Sequence, residues 1–200
     1  MSLKIFIAVL LGVITGYFFI PADFANNISF IVDLGLMILL FFVGIDIGKQ
    51  KDIFNKIKKL GFRIIIVPLS VIAGSIFGSM LVGLLLGMNV NEAGAIGSGL
   101  GWYSLSSTIL LSNGYVELSA LAFLSNVFRE IIALIFIPVI AKYIGKLESV
   151  SAAGATAMDT SLPVISRATD PQTAVVAFIT GVICSMAVPI ILPIILNMSF

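Results

Sequence analysis

The sequence predicts an all-α polytopic membrane protein, with about five transmembrane helices and two opposed re-entrant hairpins of broken helix. Three observations carry this expectation. Sixty per cent of the 200 residues are apolar and only 10% are charged, whereas a soluble domain carries about 25% charged residues. Mean hydropathy is +1.19. Five stretches also reach the roughly 20 apolar residues that a helix needs to cross a bilayer. Eleven basic and ten acidic residues cannot cover a globule of this size, so lipid must be its solvent.

The elements follow in order within a single transmembrane domain, 1–200. A first span at 4–21 runs into Pro21–Asp23 without a small-residue cleavage site, so it is read as a retained helix and not as a cleaved signal. A second span covers 28–48. Lys49, Lys51, Lys56, Lys58, Lys59 and Arg63 follow it and suit an interfacial turn among lipid headgroups. The third span, 64–87, has no charge. Segment 93–113 (AGAIGSGLGWYSLSSTILLSN) is rich in Gly, Ser and Thr and too broken for a plain span. The fourth span is 117–141. Segment 151–169 (SAAGATAMDTSLPVISRAT) repeats that broken, small-residue character, and 173–198 is the fifth span.

Basic residues set the orientation. The cluster between spans two and three belongs in the cytoplasm, and so do Lys142 and Lys146 after span four. Both demands hold only if 93–113 enters the membrane and returns to the outer side. Segment 151–169 then dips in from the cytoplasm, the N-terminus lies inside and the C-terminus outside. Irregular backbone at membrane depth survives only where protein or a water-filled cavity satisfies it. Secondary transporters build substrate sites from opposed broken segments of this kind.

Several chemistries drop out. The chain has no histidine, which removes imidazole metal sites and histidine-based nucleophiles; no metal, cofactor or catalytic residue is expected, and the chain is not read as an enzyme. Cys184 is alone and reads as a small buried apolar residue. A net charge of +1 gives no reason to expect nucleic acid.

Intramembrane charges usually mark function. Arg129 and Glu130 lie roughly 17–18 Å into span four, near the midplane, and point about 100° apart, so they do not easily neutralise each other. Asn126 stands one turn before Glu130. Asp159 sits in the second hairpin beside Thr156, Thr160, Ser161 and a helix-breaking Pro163, a setting that suits a polar cavity. Asp33 and Asp46 read as structural, and Glu92, Arg167 and Asp170 as interfacial anchors. In the first hairpin Gly101, Trp102, Tyr103, Ser104 and Ser106 are candidates for the cavity wall, although Trp102 and Tyr103 equally suit an interfacial aromatic pair.

At GLGWYSLSS (Gly99–Ser107), NVFRE (Asn126–Glu130) and GATAMDTSLPVI (Gly154–Ile165) the chain resembles the bacterial lysine exporter family of the LysO type. The three blocks stand in the family's order and at about its spacing, and the resemblance covers roughly 1–198. It implies an exporter of L-lysine and its analogue thialysine in the cytoplasmic (inner) membrane, in which two intramembrane acids matter; by motif these are Glu130 and Asp159. Family members are typically longer, with extra spans before the matched part. A split exporter is therefore implied, completed by a small membrane subunit of about three spans or by a homo-oligomer. Ser107 departs from the family's glycine.

The residues suit that substrate on their own. Lysine carries two ammonium groups and one carboxylate. Two buried acids can receive the cationic ends and exchange protons, and Arg129 or the N-terminus of a half-helix can receive the carboxylate. An ion-coupled transporter of another small solute, or a membrane assembly subunit, stays open at this point.

Overall fold

The computed structural model describes residues 63–198 continuously and, before them, isolated positions between Ile7 and Gly61. The spans expected at 4–21 and 28–48 are described only at such isolated positions, and Asp33, Asp46 and most of the basic cluster lie outside the described residues. Within them the chain is all-helical: α1 (Arg63–Leu85), α2 (Val90–Gly97), α3 (Tyr103–Ser112), α4 (Val116–Tyr143), α5 (Lys146–Ser151), a 3-10 turn (Gly154–Met158), α6 (Leu162–Ala168) and α7 (Pro171–Leu196). Among the described residues three helices, α1, α4 and α7, are long and apolar enough to cross a membrane. The protein is a helical polytopic membrane protein.

Lipid gives no hydrophobic drive for one helix to prefer another, so close packing of small residues must do it. α7 is the central post: 44% of its apolar stretch is buried, against 11% for α1. Gly181 of α7 lies so close to the backbone of Met158 that a methyl group there would collide with it. Elsewhere long side chains such as Phe77, Leu81, Phe128 and Met186 point outward, as a lipid-facing surface requires.

The segment expected at 93–113 comprises α2, a break and α3. α2 descends α1 from its Leu85 end: Gly83 lies against Ala93, and Ser75 Oγ, in mid-helix, donates to Gly97 O at 2.8 Å. α3 then climbs back along α4. Tyr103 meets Phe123 edge-on at 5.4 Å, and Ser119 Oγ donates to Ser107 O at 2.9 Å. Ala95, Leu110, Leu118, Leu192 and Leu196 close one cluster at this end. Both arms therefore begin and end on the same side of the bundle.

The second broken segment enters from the opposite end. Its feet are joined by an ion pair, Lys146 Nζ to Asp170 Oδ2 at 2.9 Å, and its arms pack on Ala133, Ile137, Ala174 and Ala177. It starts earlier than 151, because Lys146–Ser151 forms a short helix whose Ser149 and Val150 are buried. A charged stretch that resembles a loop thus folds as the first arm.

The two tips meet in the middle. Ala155 N donates to Leu100 O at 2.8 Å, and Leu100 and Ala155 pack with Val71, Cys184 and Val188. Gly101 and Gly154 take positive φ of 100° and 64°, and Leu100 itself stands at φ 51°, a left-handed conformation that costs roughly 1–2 kcal/mol outside glycine. Leu100 is fully buried, and that packing offsets the cost.

Candidate functional site

Arg129 and Glu130 occupy the midpoint of the 28-residue α4, level with both tips. Adjacent helix positions diverge by about 100°, and the two side chains go separate ways. Glu130 turns into a cavity of about 200 Å³ between the hairpins, below the ~300 Å³ at which drug-sized ligand pockets begin. Asp159 reaches it from the second hairpin, and Thr160 stands between the two acids. The Thr160 hydroxyl donates to Glu130 Oε1 at 2.5 Å and lies 3.3 Å from Asp159 Oδ1, which also accepts the Thr160 backbone N–H at 2.5 Å.

The facing wall is the first hairpin: Gly101, Trp102, Tyr103 and Ser104 line the same cavity. Trp102 and Tyr103 thus wall the cavity at the level of the tip. The N-terminus of α3 opens here without a side-chain cap. Its first intrahelical backbone bond is Ser106 N to Trp102 O, which leaves the amide hydrogens of Tyr103, Ser104 and Leu105 without an intrahelical acceptor and able to meet an anion. Thr156 contributes from the second hairpin, and Ala155, Met158 and Ser185 complete the lining. Ser185 was not anticipated; the signal available was a hydroxyl within the apolar run of the fifth span, which also holds Thr173 and Thr180.

Four expected residues do not line the cavity. Asn126 is a clamp for the first tip: its Oδ1 accepts Gly101 N at 2.7 Å, and its Nδ2 donates to Ala122 O at 2.8 Å. Ser106 donates to Tyr103 O within α3. Ser161 pairs with Thr156 Oγ1 at 3.0 Å inside the second tip. Arg129 turns to the other side, donating from Nη1 to Ser75 Oγ at 2.8 Å and from Nε to Ala152 O at 3.4 Å. It makes no ion pair with Glu130 or Asp159; among the described residues Lys146–Asp170 is the one ion pair. No three-acid or cysteine cluster suited to a metal occurs among the described residues.

These blocks, in this arrangement, lie within a match to the family described as "Lysine exporter LysO" that spans residues 6–196. The chain belongs to the lysine exporter family. It is similar to "Lysine exporter LysO" of Escherichia coli (strain K12), 31% identical over 157 residues, covering 78% of this chain and 52% of that protein. It is also similar to a Haemophilus influenzae protein described as "Putative lysine exporter", 27% identical over 186 residues, covering 92% of this chain and 93% of that one. The chain thus spans about half the length of the Escherichia coli relative and nearly all of the Haemophilus influenzae one. No solved structure matches it. This is a family of membrane transporters, not of enzymes.

Proposed function

We propose that this lysine exporter family member carries L-lysine out across the cytoplasmic membrane in exchange for protons, with Glu130 and Asp159 as the residues that receive the substrate's ammonium groups. The observation that carries the reading is the pair of carboxylates sharing the Thr160 hydroxyl in one small cavity at mid-helix depth. A carboxylate at that depth is costly and is kept where it binds or relays charge. An ammonium group and a proton compete for the same oxygens, so arrival of one favours departure of the other, and this competition couples the two fluxes. The substrate carboxylate is assigned to the free amides at the start of α3, because Arg129 faces away from the cavity. Thialysine, with the same charged ends, is expected to follow the same route.

In orientation, the Tyr143 end of α4 is assigned to the cytoplasm by Lys142 and Lys146. Trp102 is 38% exposed at the cavity mouth, and a polar opening at this depth needs a cover. The two N-terminal spans, a small membrane subunit of about three spans, or a second copy of the chain would supply it.

The test is counterflow in vesicles holding the purified protein and loaded with lysine. Labelled lysine should accumulate saturably, thialysine should compete, and an imposed proton gradient should drive net lysine movement. Accumulation of a different solute, with lysine ignored, would move the protein to a neighbouring specificity; lysine counterflow unaffected by any proton gradient would remove the coupling.

A further inference from the structure

About 100° round α4 from Glu130 lies a second set of contacts, all centred on Arg129. Nη1 donates to Ser75 Oγ at 2.8 Å, and that hydroxyl donates in turn to Gly97 O at 2.8 Å, at the end of the descending arm of the first hairpin. Nε reaches Ala152 O, just before the tip of the second hairpin. The guanidinium also lies against Gly154, where an added methyl would stand 2.9 Å from Nη2. One side chain therefore touches α1, the first hairpin through Ser75, and the second hairpin directly. A few ångströms away the tips make their own direct bond, Ala155 N to Leu100 O.

Five donors in a rigid plane suit such a junction, and a flexible lysine would not span it. One carbonyl and one hydroxyl bind the cation here, so its contacts hold only while both tips keep this register. Alternating access requires one hairpin to move against the other around the site. We infer that Arg129, through Ser75, is a positioning residue that locks the two hairpin tips together and sets the balance between the arrangement seen here, with the tips joined, and those in which they part.

The protein carries its own reporter. Cys184, its one cysteine, is fully buried and packs with Leu100 and Ala155, the two residues of the tip-to-tip bond. Parting of the tips would uncover it to a thiol reagent. In the full chain in vesicles, the rate of maleimide labelling at Cys184 should be compared among wild type, Ser75→Ala and Arg129→Lys. Ser75→Ala removes the relay hydroxyl while leaving the arginine in place, so it tests the lock even if Arg129→Lys does not fold. A hydrogen bond from a charged donor biases an equilibrium by on the order of tenfold or more, and labelling should accelerate by about that factor in both variants. Lysine transport should change in maximal rate, with its half-saturating concentration nearly constant. Unchanged labelling in Ser75→Ala would overturn the inference; a rise in half-saturation as the main effect would overturn it too, and would assign Arg129 to substrate binding. Because labelling is read without substrate, its outcome does not depend on lysine being the cargo.

Discussion

Thr160 offers a single hydroxyl hydrogen to two carboxylates and gives it to Glu130, while its backbone N–H goes to Asp159. Charge-assisted bonds of this kind contribute about 1.5–3 kcal/mol each. Thr160→Val should therefore slow lysine export on the order of tenfold or more, whereas Thr160→Ser should keep most of it; equal activity in the two would show that the hydroxyl is idle. Glu130→Gln and Asp159→Asn should each abolish export in the vesicle assay while the thermal midpoint stays close to wild type. The reason is that neither acid compensates Arg129, so neither substitution strands a buried cation, and an amide is cheaper to bury than a carboxylate. A large stability loss would assign the acids a structural role. The depth of Glu130 in an apolar run, and the hydroxyl-rich surroundings of Asp159, were legible from spacing alone. The direction of Arg129 and Asn126 was not: both sit on the same helix as Glu130, and their partners, Ser75 and Gly101, come from elements far away in sequence.

At the scale of elements, each hairpin is held by contacts that a pattern of apolar residues cannot announce. Gly181→Ala would push a methyl against the backbone of Met158. Overpacking of this sort typically costs about 1–3 kcal/mol, and the variant should unfold at lower temperature and export more slowly; a wild-type melting point would mean that the second tip can shift without penalty. The feet of the same hairpin respond to acid. Burial pushes the Asp170 carboxyl up, but hydrogen bonds from Lys146 and from the Thr173 N–H and hydroxyl outweigh it and hold the group below its usual value. A carboxylate with a lowered folded-state pKa contributes stability above its unfolded value, about 3.9, and loses it as pH falls through the folded one. With both partners partly exposed, that contribution is about 0–1 kcal/mol. Stability should fall on acidification in wild type and less so in Asp170→Asn, measured by thermal melts from neutral pH downward. The long spans and the broken character of both hairpins could be read from composition, because length and small residues are local properties. The early start of the second hairpin could not, since Lys146–Ser151 reads as a charged loop until α4 and α7 bury Ser149 and Val150.

For the whole molecule, the charge rule and the packing lead to the same labelling experiment. Single cysteines introduced at Asn89 and Asn113, in a Cys184→Ala background, should both react with an impermeant reagent from outside, and one at Lys146 only from inside. Asn89 and Asn113 on opposite sides would mean that the first broken segment crosses the membrane. The meeting of the tips also has an electrical side. Leu100 and Ala155 join across one backbone hydrogen bond, so the hairpins that enter from opposite ends meet at a single level of the bundle. A membrane potential falls mainly across the layer that water and ions do not enter, and moving one charge through 100 mV is worth about 2.3 kcal/mol. A cation that passes the level of the tips goes from one hairpin's side of the bundle to the other's, and crosses part of that voltage. Export of a net cation without an equal counter-charge should then follow the imposed potential steeply, and a flux indifferent to voltage would show that the charge is cancelled before it crosses.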